Sequence, residues 1–314
     1  MFVFALTVRK SNQGYGNDLQ MRKKRIVALS GGIGNQMFQY AFAKLLERES
    51  GCEIEFDTGF YSKTPDRTIG LTSYDIGNYV FKNHIKYNMI RRLFQRIPFL
   101  SWIAGTYKEY KQFEIDLRVY KYAYSFYFGY WQNLRYYSDM DSILRERLRY
   151  KGDLSDRVQV LSREINGNFS VAVHVRRGDY LEDKSIYHVL NKDYYIKAID
   201  RACLELNVTS TDDLKLYFFS DDIEWCKKNF GGIKTAFFVD NSVSESEHID
   251  ILLMRCARCL IMANSTFSWW SAWLSERSDK VVITPDRWFS DRKMNEKALE
   301  ALIPNYWIME KCNI

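Results

Sequence analysis

Two arginines, a glycine and an aspartate, Arg176-Arg177-Gly178-Asp179, stand directly after the apolar run Phe169-Ser-Val-Ala-Val-His-Val175. An arginine at the end of a buried strand can lay its planar fork on a diphosphate with two parallel hydrogen bonds. The same string can equally be an Arg–Asp pair that closes a loop, and taken alone it leaves both readings open. Three further strings have the same placement. Asn264-Ser265-Thr266-Phe267 leaves the run Cys259-Leu-Ile-Met-Ala263. A helix beginning there would offer hydroxyls and N–H groups to an anion, or Ser265 or Thr266 would simply cap it. Phe219-Ser-Asp221-Asp222 ends the run from Leu214. A carboxylate there can accept from the N1–H and exocyclic amine of a guanine, or cap a helix. Gly31-Gly32-Ile-Gly34 follows Arg25-Ile-Val-Ala-Leu-Ser30 and precedes Asn35-Gln36. It departs from the G-x-G-x-x-G fingerprint, so it reads as a close-approach turn whose helix mouth presents two amides, Asn35 and Gln36.

Such residues need strands to carry them, and the chain supplies two blocks of alternating strand and helix. In the first, the run from Arg25 leads into apolar positions Met37, Phe38, Ala41, Phe42, Leu45 and Leu46, which have helical spacing; Gly51 stops the helix and Cys52–Phe56 is the next strand. In the second, strands are predicted at 169–175, 214–219, 234–239 and 259–263, with 280–283 closing the series. Asp193 is expected to cap one intervening helix, and Asp221 or Asp222 to start another. Strict alternation predicts parallel sheets covered on both faces, with ligands at the carboxyl ends of the strands. The stretch 60–150 reads as mostly helices and loops, with an amphipathic helix from Ser138 to Tyr150. The fold class is therefore α/β, as two Rossmann-like domains facing across a cleft. Residues 1–24 are expected to be an extension outside the fold, 25–165 the N-terminal domain and 166–314 the C-terminal domain, its last segment returning to the N-terminal one.

Composition narrows the chemistry. The chain has 314 residues, 46% hydrophobic and 27% charged, an ordinary globular balance. Its net charge of +6 suits anionic small molecules or an anionic membrane surface and is low for a dedicated nucleic-acid binder. Basic clusters at Arg22–Arg25 and at Arg91, Arg92 and Arg96 read as solvated surface. The 22 Tyr and 20 Phe are mostly core by expectation, as are Trp269 and Trp270. Six cysteines lack a disulfide or zinc framework; Cys256-x-x-Cys259 reads as core thiols in a reducing compartment. Asp139-Met-Asp141 imitates a metal-binding D-x-D but falls in a helix rather than at a strand end, so no metal site is expected. No apolar run reaches membrane-spanning length.

In order and spacing, Gly31–Tyr40, His174–Tyr180, Phe219–Asp222 and Asn264–Leu274 resemble the α-1,2-fucosyltransferase family, glycosyltransferase family 11, in its bacterial form. Gly129-Tyr-Trp-Gln132, Asp193-Tyr-Tyr195 and Pro285 with Trp288-Phe289 extend the resemblance over residues 25–290; Ser271 replaces what is often a smaller residue. The resemblance implies a GT-B-like fold and transfer of L-fucose from GDP-β-L-fucose, with inversion and without metal or other cofactor, to the 2-hydroxyl of a terminal galactoside. It implies Arg176 on the diphosphate, His174 beside the nucleoside and Asp221 or Asp222 on guanine. Asn264, Ser265, Thr266 and Phe267 would surround the phosphates, with Gly32, Gly34, Gln36 and Arg177 completing the donor site. Asn35 would lie beside the transferred sugar. Asp179 is either the base for the acceptor hydroxyl or a brace for the loop. A cytoplasmic enzyme acting on a lipid-linked surface glycan, touching the inner membrane through its basic clusters, is the matching expectation. Two alternatives remain: a transferase with another GDP-sugar or linkage, and a non-catalytic sugar- or nucleotide-binding protein.

Overall fold

The structure, a computed structural model, describes residues 24–85, 89, 105–121, 124–167 and 169–312. The first sheet holds β1 (Lys24–Ala28), β2 (Glu53–Asp57), β3 (Val80–Lys82), β4 (Thr106–Lys108) and β5 (Phe126–Phe128) in the order β3-β2-β1-β5-β4. The second holds β6 (Ser170–Val175), β7 (Lys215–Ser220), β8 (Ala236–Val239), β9 (Cys259–Ile261), β10 (Val281–Pro285) and β11 (Ile308–Glu310) in the order β11-β10-β9-β6-β7-β8. Every pairing is parallel. The labelled helices are α1 (Ile33–Ser50), α2 (Asp141–Arg147), α3 (Asp156–Gly167), α4 (Gly178–Glu182), α5 (Lys192–Glu205), α6 (Ile223–Phe230), α7 (Glu247–Cys256), α8 (Thr266–Trp273) and α9 (Arg292–Leu302).

Register explains why distant strings meet. His174 pairs with Phe219 and Val175 with Ser220, so β6 and β7 end at one level and Arg176-Arg177 emerges beside Asp221-Asp222. On the other side of β6, Val173 pairs with Ile261, which brings Asn264–Thr266 to the same edge. The chain moves outward from β6 to β7 and β8, then crosses to β9, so β6 and β9 flank the point where strand order reverses. Such switch points are where open parallel sheets bind ligands. β6 is buried along its whole length, as a central parallel strand must be.

Helix α1 couples the two sheets. Gly51, at φ +60°, ends it with its N–H donating to Glu47 O. The helix lies between the first sheet and α8. Phe38 sits 4.8 Å and 4.9 Å from the rings of Trp269 and Trp270, and Phe42 stacks on Trp131 at 3.9 Å. Truncating a buried Phe costs about 3–5 kcal/mol, so this wedge is a strong constraint on how the sheets approach. Trp269 and Trp270 are fully buried and donate their indole N–H groups to Leu302 O and Gly34 O.

The stretch 60–150, read as mostly helices and loops, also supplies three strands of three residues each. Other expectations are corrected. The helix expected from Ser138 to Tyr150 spans only Asp141–Arg147. Asn191, not Asp193, caps α5, its side chain accepting from Tyr194 N, while Asp193 lies in the first turn. Residues 280–283 do not close the second sheet: α9 and β11 follow, and β11 pairs with β10. α9 also reaches back, through Lys297 to Glu114 and through Glu300 to Arg135. The expected N-terminal extension lies outside the described residues except Lys24, which begins β1. Residues 22, 23, 91, 92 and 96 of the basic clusters lie outside them too, whereas Lys24 pairs with Glu55 and Arg25 is buried.

Candidate active site

The N-terminal turns of α1 and α8 touch. Asn35 Oδ1 accepts from Thr266 Oγ1 at 3.0 Å and from Gln132 Nε2 at 2.9 Å. Ser265 caps α8, its hydroxyl accepting from Phe267 N. Both turns line a cavity of about 450 Å³ that also takes in Arg67, Tyr130, Arg176, Asp179, Tyr187 and Phe289. N–H groups at two helix starts and two positive helix ends therefore bear on one space.

A second cavity, of about 600 Å³, opens over the ends of β6 and β7 and is lined by His174, Asp221 and Asp250 among others. Arg176, Glu247 and Phe267 line both cavities, so the two join there. His174 is 4% exposed, and its Nδ1 has no hydrogen-bond partner. Burial, helped by the Arg176 charge, pulls its pKa down to about 3, so the ring is neutral. Asp250 also carries a buried, unpartnered oxygen. Burial pushes its carboxyl up to about 7; a hydrogen bond from Ser244 opposes this and the charge of Glu247 adds to it. Glu247 is open to solvent along the cleft. The protein around it still raises its carboxyl above the usual range, against the pull of Arg67 and Arg176.

Arg176 is the hub. Its Nη1 lies 3.0 Å from Asp221 Oδ2, and its Nη2 and Nε donate to Asp179 Oδ1 at 2.7 Å and 3.1 Å. Asp221 Oδ1 in turn accepts from Arg177 N at 2.9 Å. A Cβ on Gly178 would stand 2.7 Å from Asp221 Oδ2 and would press on the carboxylate that Arg176 and Arg177 N hold. Asn264 is 2% exposed and donates to His188 O and Trp288 O, tying the α8 start to neighbouring loops.

Three expected donor contacts face neither cavity. Gln36 is fully buried; its amide donates to Gly31 O and Thr68 O and accepts from Gly70 N and Leu71 N, so it fastens a loop. Arg177 turns away to lie 4.3 Å over the Trp225 ring and pairs with Asp222. Asp222 caps α6 by accepting from Trp225 N. Adjacent residues leaving a strand point to opposite sides, so Arg176 and Arg177 have different surroundings. Asn35, His174, Arg176, Asp179, Asp221, Asn264, Ser265, Thr266, Phe267, Gly32 and Gly34 all line the joined cavities.

Arg67, Glu247 and Asp250 are not singled out by the sequence. Arg67 sits in a loop without a motif. Glu247 and Asp250 lie in the first turn of α7, where acids are ordinary helix formers, so nothing in the string marks them. Among the described residues, no three of His, Cys, Asp or Glu form a metal-binding group. Asp139 pairs with Arg48 and Asp141 with Arg145. The six cysteines are free thiols.

The sequence matches Glycosyl transferase family 11 over residues 3–311, beginning within the segment expected to be an extension. It is 32% identical over 283 residues to an alpha-1,2-colitosyltransferase of Escherichia coli, covering 86% of this chain and 94% of the relative. It is 29% identical over 306 residues to the O-antigen biosynthesis glycosyltransferase WbnK of the same species, covering 88% of this chain and 98% of the relative. Its fold is similar to that of a mutant of Arabidopsis thaliana FUT1 in complex with GDP, with a TM-score of 0.52 at 9% identity over 85% of this chain and 71% of that one. The fold is GT-B-like, and the chain belongs to glycosyl transferase family 11 and is a glycosyltransferase.

Proposed function

We propose that the protein transfers L-fucose from GDP-β-L-fucose to the 2-hydroxyl of a terminal galactoside in a surface glycan, with inversion and without a metal ion. The observation that carries this reading is the junction of the two cavities at Arg176. On one side lie neutral His174 and Asp250, on the other the starts of α1 and α8. In this reading the nucleoside enters the first chamber, where a carboxylate can accept two hydrogen bonds from a guanine edge. Asp250 suits that role better than Asp221 or Asp222, whose oxygens are already engaged. The diphosphate crosses the junction, and the sugar enters the second chamber.

Displacement at the anomeric carbon builds charge on the leaving diphosphate. Fixed donors aimed at that charge stabilise it more in the transition state than in the ground state. Arg176 and the N–H groups at the α8 start would act in that way. Asn35, bonded to Thr266 and Gln132, would help hold the transferred sugar, with Tyr130, Tyr187 and Phe289 as apolar walls for the acceptor. Asp179 has both oxygens on arginines, which favours the brace over the base. Residues 25–165 would then be the acceptor half and 166–314 the donor half.

A second reading is favoured by the colitosyltransferase relative. Colitose lacks the 3-hydroxyl of fucose, and a site built to bond a hydroxyl rejects the sugar that lacks it. No helix among the described residues is long and apolar enough to cross a membrane; action on lipid-linked acceptors at the cytoplasmic face of the inner membrane belongs to the proposal. The test is incubation with GDP-fucose or GDP-colitose and a β-galactoside in EDTA, followed by linkage analysis. An α-1,2-fucosylated product is expected. Preference for GDP-colitose would overturn the donor, a requirement for metal would overturn the mechanism, and binding without GDP release would indicate a non-catalytic protein.

A further inference from the structure

Asp179 holds two cations at once. Its Oδ1 accepts from Arg176 at 2.7 Å and its Oδ2 accepts from Arg67 Nη2 at 2.9 Å. Arg176 and Asp179 follow β6, whereas Arg67 comes from the loop after β2, so the carboxylate ties the ends of two different sheets. The loop carrying Arg67 is fixed from beneath. Gln36 donates to Thr68 O at 2.8 Å and accepts from Gly70 N at 2.9 Å, and the Tyr61 hydroxyl donates to Gly31 O at 3.1 Å. Arg67 Nη1 also lies against the donor turn, 3.3 Å from where a Cβ on Gly32 would stand.

The Arg67–Asp179 pair contributes little as a fastening, because its side chains are 38% and 42% exposed and such pairs are screened by water. Its position makes sense if the carboxylate occupies a place meant for another anion. Arg176 would remain held through Asp221 when Asp179 let go, and its Nε–Nη2 edge would become free. The Arg67 fork would be released into the same cavity. Each guanidinium would then present an open donor edge to one space, and a diphosphate offers more negative charge and more acceptor oxygens than the single carboxylate it replaces.

Resting on the reading that the donor is a nucleoside diphosphate sugar, we infer that Arg67 is a second diphosphate-binding arginine. Asp179 is the stand-in anion that holds Arg67 and Arg176 toward one another until the diphosphate takes its place. Donor binding therefore exchanges a carboxylate bridge between the sheets for a diphosphate bridge.

Calorimetric titration of GDP and of guanosine into the wild type and into Arg67→Gln, Arg67→Lys and Asp179→Asn tests this. Arg67→Gln should weaken GDP about tenfold or more, the scale of a charge-assisted bond, and leave guanosine unchanged. Arg67→Lys should recover part of the loss, because it keeps the charge without the fork. Asp179→Asn should tighten GDP. Unchanged GDP affinity in Arg67→Gln, equal losses for GDP and guanosine, or weakened GDP binding in Asp179→Asn would each overturn the inference. If the wild type binds UDP rather than GDP, the guanine reading fails, and the same series with UDP still decides Arg67. A wild type that binds no nucleoside diphosphate overturns both.

Discussion

A Cβ on Gly34 would stand 2.6 Å from both the carbonyl carbon and Oγ1 of Thr266, and 2.7 Å from Phe267 N. The start of α1 therefore meets the start of α8 backbone to backbone. Trp270 seals the contact by donating to Gly34 O at 2.9 Å. This closeness lets Asn35 accept from Thr266, so one glycine sets the spacing of the proposed phosphate-side donors.

Gly34→Ala should push the two helix starts apart. Overpacking of this kind costs about 1–3 kcal/mol, and the loss should appear as a lower denaturation midpoint. Because the same contact positions Asn35 and Thr266, kcat/KM should fall at least about tenfold, as expected for misplaced groups at a reacting centre. A variant with reduced stability but unaltered kcat/KM would separate the contact from catalysis.

Arg176→Ala should lower the chemical rate by about 10²–10³, the scale of losing a charge-stabilising donor. The substitution also strands Asp179 and Asp221 without their shared partner, so Arg176→Lys is the companion variant. It keeps a cation but cannot reproduce the fork, and should restore only part of the rate. Turnover at saturating donor is the measurement, and near-normal turnover in Arg176→Ala would remove Arg176 from the mechanism.

Arg177→Gln should behave differently although it is the next residue. Arg177 lies over Trp225 and pairs with Asp222, away from both cavities. A cation–π contact plus a partly buried ion pair is worth about 1–2 kcal/mol, so stability should fall by that order. GDP affinity should stay within about twofold of wild type. Equal loss of GDP binding in the Arg176 and Arg177 variants would show that both contact the donor.

That contrast shows where the sequence is readable. Strands buried on both faces, such as β6, announce themselves as apolar runs, so the strings at their ends could be found. Which of two adjacent arginines faces the ligand depends on side-chain direction, which the string does not carry. Gln36 is ambiguous for a similar reason: an amide at a helix mouth suits a ligand and a neighbouring loop equally, and Thr68 and Gly70 claim it. β3, β4 and β5 are too short for alternation to register. Phe126 and Tyr127 are strand because Ile26 and Val27 need partners on that side of β1. Asp250 is invisible because its importance arises from burial, which only the fold creates.

Asp250 gives a pH signature of its own. Its carboxyl is raised to about 7, whereas in the unfolded chain it titrates near the ordinary aspartate value of about 3.9. A folded pKa above the unfolded one means that the stabilising contribution is complete below about pH 4 and is lost as pH rises through about 7. In the proposed reading guanine, with two donors on its edge, would bind the ionised form. Stability of the free protein due to Asp250 should therefore fall over the window in which GDP affinity rises, with affinity levelling off above about pH 7. His174 titrates in the unfolded chain near 6.5 but in the fold only near 3, so its contribution is present above pH 6.5 and is lost toward pH 3. The two slopes oppose each other, and comparison with Asp250→Asn separates them. That variant should show a steeper gain in stability from pH 5 to 7 than the wild type. It should bind GDP about tenfold more weakly at pH 8 and show a smaller rise in affinity between pH 6 and 8. Calorimetry in buffers of different ionisation enthalpy should detect more proton release on GDP binding at pH 6 in the wild type than in Asp250→Asn, the remainder coming from the terminal phosphate, which titrates at about 6. An identical dependence of GDP affinity on pH from 6 to 8 in the wild type and in Asp250→Asn would return the base contact to Asp221.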